Sequence, residues 1–160
     1  MCIFEKNLIE KPATMYKCKY FAPHELVPKD ILDQFVDENM VYGIFDKKAL
    51  RILDMIREWS GVALTVNNWS WNGVRTDSGF RKKNSTVGAQ KSAHKFGKAF
   101  DIVSPRITTQ QLWTLINNNA DKLPCKIRIE RTNGGKPITW LHFDTNAAAT
   151  QKDKVYYFDA

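Results

Sequence analysis

The sequence predicts an α+β domain: a small antiparallel sheet with flanking helices. Three observations carry this. Apolar residues recur at helical spacing between Asp46 and Gly61, short β-branched runs dominate the second half, and glycine-marked turns separate those runs. At 160 residues, 43% hydrophobic and 12% aromatic, the chain suits one core.

Residues 1–16 lack periodicity and read as a flexible arm or an added strand, which leaves 17–160 as a single domain. Tyr20 to Pro28 reads as a helical turn held between Pro23 and Pro28. Asp46 can cap a helix whose apolar stripe is Ala49, Ile52, Leu53, Ile56 and Trp59, with Gly61 as its stop. Val62 to Val66 then reads as a short strand. Residues 67–93 are polar, carry Gly73, Gly79 and Gly88, and read as long loops, which in a compact domain are commonly functional. Gly97 to Val103 is a second strand, with Ala99, Asp101 and Val103 on one face. Thr108 or Thr109 can cap a helix carrying Leu112, Leu115 and Ile116. Ile127–Arg131 and Ile138–Asp144 form a hairpin around Asn133-Gly134-Gly135. Beyond about residue 146 the chain reads as a tail, with Val155 to Phe158 able to pair as an edge strand.

A net charge of +7 favours an anionic partner: cell wall, nucleic acid or an acidic membrane surface. No helix-turn-helix, RNP or KH pattern is visible, so no specific nucleic-acid partner is expected. No run approaches the roughly 20 apolar residues of a bilayer span. Cys2, Cys18 and Cys125 form no CxxC pair and suggest neither a cysteine metal site nor a disulfide framework. That usage fits synthesis in a reducing cytoplasm, and the N-terminal residues do not read as a secretory signal.

The chemistry concentrates in two segments, Ser92-Ala93-His94-Lys95-Phe96-Gly97-Lys98-Ala99-Phe100-Asp101 and Trp140-Leu141-His142-Phe143-Asp144. Two imidazoles and one carboxylate are a standard set for a catalytic zinc, which keeps a further position open. His94 ends a loop, Asp101 lies on the strand that follows, and His142 comes from a second strand. Two histidines in so short a chain carry little weight alone.

The residues around them carry more. SAHKFGKAFDI resembles the Ser-x-His-x-x-Gly-x-Ala-x-Asp motif of M15-type zinc peptidases, D-Ala-D-Ala carboxypeptidases and phage endolysins among them. WLHFD is similar to their later strand, and Ser78-Gly79-Phe80-Arg81 to their upstream Ser-Gly-Tyr-Arg segment, in the family's order and over residues 20–145. The resemblance implies a fold like that of the hedgehog signalling domain and the DD-peptidases. It implies zinc on His94, Asp101 and His142, and hydrolysis of peptide bonds in peptidoglycan stem peptides. It also implies Arg81 beside the substrate, meeting a carbonyl oxygen as it gains charge, and Ser92 in the site wall. A phage virion protein, or one delivered to the cell envelope by other means, would suit the chain.

The general base is the departure from the pattern. Family members place an acidic residue three positions before the last ligand, and here that residue is Thr139. Glu130 is the leading substitute and Asp144 the runner-up, the latter also suited to orienting a histidine ligand. A turn centred on Gly134 would set Glu130 opposite Ile138, four strand steps or roughly 13 Å from His142, unless a bulge closes the gap. Trp140, Trp71 and Trp69 are candidate substrate contacts, one of the latter two being expected to anchor its loop instead. Lys82, Lys83, Lys91, Lys95 and Lys98 would make the rim of the site positive. A zinc-binding protein without catalysis on the same scaffold is the alternative reading.

Overall fold

The computed structural model describes residues 14–160, an α+β arrangement of four α-helices, several 3-10 turns and one four-stranded sheet. Most of the segment read as an arm thus lies outside the described residues. Its last two residues, Met15 and Tyr16, pack against the core, and the Tyr16 hydroxyl donates to buried Asp54 at 2.9 Å.

Helices α1 (Pro23–Leu26) and α2 (Lys29–Leu32) are single turns, each preceded by extended backbone. The first is the turn expected between the prolines; the second extends it. Helix α3 (Lys47–Ser60) begins where Asp46 accepts from the Lys48 amide and stops at Gly61, whose φ of 65° is left-handed. Its stripe of Ala49, Leu50, Ile52, Leu53 and Ile56 is fully buried. Helix α4 (Thr109–Asn118) opens on a reciprocal cap between Thr108 and Gln111, which satisfies two amides the helix cannot.

The sheet runs β1 (Ala99–Ile102), β3 (Lys136–Asp144), β2 (Ile127–Asn133), β4 (Val155–Asp159) from edge to edge. β1, β3 and β2 pair antiparallel, as expected, but β4 lies parallel to β2, so the sheet is mixed. The segment read as a tail therefore closes one edge. A parallel neighbour needs the chain to return to its starting end first; β3 makes that return, and residues 145–154 then pass the end of β2 to reach β4. The strand expected at Val62–Val66 shrinks to one bridge, Thr65 to Val103, because Asn67 turns away to bond the Glu25 carbonyl.

Strand alternation gives the sheet two chemically distinct faces. Phe100, Ile102, Ile127, Ile129, Leu141 and Phe143 are buried on the core side with α3 and α4. The other face carries Asp101, His142, Glu130 and Phe158 as one row across all four strands, since each is register partner of the next.

A bulge makes that row. Near the hairpin tip Thr132 opposes Pro137, yet Glu130 opposes His142, so β2 takes two steps where β3 takes five. The simple register, with Glu130 facing Ile138, is thereby corrected: the extra residues on β3 erase the separation of four strand steps.

Candidate metal centre

His94 does not lie on the sheet. It sits in a 3-10 turn (Ala93–Phe96) that ends at Gly97, φ 64°. A Cβ at Gly97 would stand 2.4 Å from the Ile44 carbonyl oxygen, so only glycine lets the chain turn here onto β1. Gly79 is held as tightly: a Cβ there would lie 2.0 Å from the Leu26 carbonyl oxygen. That closeness brings the Gly79 carbonyl to 2.7 Å from His94 Nδ1. A carbonyl only accepts, so Nδ1 carries the hydrogen and Nε2 presents its lone pair inward.

His142 is fixed by the opposite nitrogen. Its Nε2 lies 3.4 Å from Asp144 Oδ2, which leaves Nδ1 facing the cluster. Asp144 is 1% exposed and is gripped in turn by Arg128, whose Nε and Nη2 each donate to one carboxylate oxygen at 2.9 Å. A carboxylate behind a histidine ligand is the usual way to set its tautomer and ring angle. Asp144 stands where such an orienting group would, the second of its two expected roles.

Asp101 completes the set. Its Oδ1 is 2.7 Å from His142 Nδ1 and 3.2 Å from His94 Nε2, while those two nitrogens are 3.3 Å apart. Oδ2 is taken by Arg81 Nη2 at 2.7 Å, and Arg81 Nε donates to the Asp77 carbonyl. Arg81 thus holds the carboxylate to one free oxygen, and only its Nη1 is left for a substrate. His94, Asp101 and His142 are all buried, with potential ligand atoms within 4.8 Å of one another. Two inward nitrogens and one inward oxygen, each backed from behind by another group, fit a metal ion. These residues could hold one.

The charges agree with that arrangement. Burial pushes His94 below its ordinary value, so its nitrogen is neutral and free to ligate at pH 7. For His142 burial acts downward too, but hydrogen bonds to Asp101 and Asp144 outweigh it and raise the imidazole to about 9. Burial alone would raise Asp101; the two imidazoles packed against it, with a hydrogen bond from His142 Nδ1, hold it well below the usual carboxylate range. Metal binding requires neutral imidazole. Below about pH 9 it must therefore displace one proton from His142, and none from His94. Affinity is expected to climb about tenfold per pH unit between pH 6 and 8. Calorimetric titration in two buffers of different ionisation heat should show about one proton released at pH 7; an affinity flat across that range would contradict the assignment.

The cluster forms the floor of a cleft of about 240 Å³ whose lining includes Arg81, Ser92, Arg128, Glu130, Trp140 and Phe158. Glu130 is 8% exposed, and its Oε2 lies 3.9 Å from His142 Nδ1. Its other oxygen is buried with no hydrogen-bond partner among the described residues, and burial pushes its carboxyl upward from the ordinary glutamate value.

The structure thus brings together nine of the expected residues: the three candidate ligands, Arg81, Glu130, Asp144, Ser92, Trp140 and Lys91. Trp71 is not among the cleft residues; it is 58% exposed and packs edge-on to His24, 6.3 Å between ring centres. Trp69 is the loop anchor, its indole donating to the Val27 carbonyl. Lys82 pairs with Asp30, and buried Lys95 donates to the Ser85 carbonyl, so neither contributes a free charge to the rim. Arg128 and Phe158 are the residues sequence reasoning missed. Once Glu130 is set against His142, the same register sets Arg128 against Asp144, so the bulge was the missing signal.

No protein-family model, curated protein or solved structure matches the chain. No helix among the described residues is long and apolar enough to cross a membrane.

Proposed function

We propose that the protein is a zinc-dependent peptidase that hydrolyses peptide bonds in bacterial peptidoglycan. One observation carries this above all: a buried carboxylate with an unpartnered oxygen, Glu130, stands in the same sheet row as two candidate ligands and opens onto their cleft. A purely structural metal site is closed and has no use for such a group. Support also comes from the motif around His94 and Asp101, which resembles that of M15-type peptidases.

When bound, zinc would supply Lewis-acid activation of water and of a peptide carbonyl. The chain's own residues do the rest. Glu130 takes a proton from water at Oε2, the oxygen 3.9 Å from His142 Nδ1, and returns it to the departing amine, a role that its upward-shifted carboxyl favours. Arg81 keeps Asp101 to a single inward oxygen, and its Nη1 is the cation nearest that carboxylate that a substrate oxygen could reach. Asp144 keeps His142 Nδ1 inward. Ser92 and Trp140 shape the wall.

The alternative, a metal-binding protein without catalysis, draws on Thr139, which stands exposed where the resembled family has its acid. Digestion of purified cell-wall sacculi by the zinc-loaded protein, with mass spectrometry of the fragments, separates the two. New amino and carboxyl ends within stem peptides are expected. Sacculi left intact would favour the alternative, and with it a binding role. Delivery from a phage particle or to the envelope follows from such a substrate and is part of the proposal.

A further inference from the structure

A second concavity, of about 430 Å³, lies at the start of α3 and shares no lining residue with the metal cleft. Half of its eight lining residues are the cations Lys17, Lys47, Lys48 and Arg51, and none is acidic. All four are exposed, and none has an ion-pair partner among the described residues. Lys154, whose Nζ donates to the Leu123 carbonyl beside the lining residue Pro124, adds a fifth cation next to the rim.

The carboxylates of α3 and its cap are engaged elsewhere. Asp46 accepts from the Lys48 amide and the Thr145 hydroxyl. Buried Asp54 holds the Tyr16 hydroxyl and the amides of Lys19 and Tyr20, and Glu58 pairs with Lys19. Asp37, which feels the charge of Lys17, is bound to Asn39. The cations also sit where the helix gains least from them. A helix start favours acidic side chains, yet the first turn of α3 carries Lys47 and Lys48 and no acid. Lys47 and Arg51, four residues apart, set like charges on one face. Such a local conflict marks a surface kept for something other than folding.

The lining narrows the kind of anion. Three of the four cations are lysines, point charges without the planar fork that matches a carboxylate, and these suit phosphate. A membrane surface is broad and recruits apolar side chains beside the cations, but no exposed large apolar residue among those described lines this pocket. A single nucleic-acid strand asks for aromatic faces on which bases stack. The one aromatic here, Tyr16, is half-buried with its hydroxyl held by Asp54. We propose that the pocket binds successive phosphates of a polyol-phosphate chain, an anionic polymer with neither bases nor acyl tails. This depends on neither the metal centre nor the peptidase reading.

Calorimetric titration of the full-length protein with a short poly(glycerol phosphate) tests it, beside oligothymidylate and oligoglutamate of the same charge and phosphatidylglycerol vesicles. The polyol phosphate is expected to bind tightest, and to weaken steeply with salt. Lys47→Gln with Arg51→Gln should lower its affinity about tenfold, or about threefold for each exposed charge removed. Lys17→Gln, outside any helix, should give about a threefold loss alone. Arg106→Gln with Lys136→Gln removes the same charge from exposed residues outside the pocket and should change affinity by less than about twofold. Separating Lys47 from Arg51 relieves repulsion, so the melting temperature of that variant should hold or rise, which excludes unfolding as the cause of its loss. Absence of binding, equal losses in the two double variants, or tighter binding of oligothymidylate, oligoglutamate or vesicles would overturn the proposal.

Discussion

Glu130→Gln is expected to lower peptide hydrolysis by about 10²- to 10⁴-fold, the usual contribution of a positioned general acid–base. The substitution keeps the shape of the side chain and its place opposite His142. It removes only the ability to carry a proton back and forth. Metal content and thermal stability should therefore stay near the wild-type level. Stability should even rise slightly, because Glu130 buries an oxygen without a partner and a neutral amide costs less to desolvate. Initial rates on sacculi together with metal analysis of the same sample check both halves. Retained hydrolysis would remove Glu130 from the reaction.

Asp101→Ala should do broader damage. Asp101 touches both histidines and Arg81. Without it the candidate site loses its only oxygen ligand, and Arg81, 11% exposed, is left as an unpaired cation. Breaking a buried ion pair from one side commonly costs about 3–5 kcal/mol. A further cost adds to this, since His142 Nδ1 loses its acceptor. The expected result is a protein that neither retains metal nor hydrolyses peptide and melts well below the wild type. Asp101→Asn separates the effects: it preserves volume and some hydrogen bonding, so it should recover stability more than metal affinity. Denaturant unfolding of both variants, with and without added zinc, measures the difference.

Much of this site was legible in the sequence, and the reasons are local. The caps of α3 and α4 are written in Asp46, Gly61, Thr108 and Gln111, because a cap is satisfied within one turn. The three candidate ligands sit in short segments whose residue types state their chemistry. The register of the hairpin was not legible. Asn133-Gly134-Gly135 announces a turn, and both glycines do adopt left-handed φ of 57° and 74°. A turn fixes pairing only near itself, however, and the bulge beyond it depends on how β3 packs against β1, a non-local matter. The same holds for β4. Val155 to Phe158 has the composition of a strand, but its parallel pairing with β2 is decided by contacts some thirty residues away. Arg128 illustrates the consequence. In the folded register it grips Asp144, which leaves Glu130 with an oxygen that has no partner among the described residues.

Arg81 carries a similar lesson. Its position after Ser78-Gly79-Phe80 suggested a contact with substrate, whereas two of its nitrogens hold the site together. The carbonyl of Gly79, two residues earlier, orients His94. The segment thus serves the cluster from behind as much as the cleft in front, which composition alone does not reveal.

The most direct measurement is the metal content of the purified full-length protein, set beside that of His94→Ala and His142→Ala. One equivalent of zinc is expected in the wild type, with X-ray absorption showing nitrogen and oxygen but no sulfur neighbours, and far less than one equivalent in either variant. A wild-type protein that stays metal-free after incubation with zinc, or variants that bind it equally well, would contradict the site on which the proposed reaction depends.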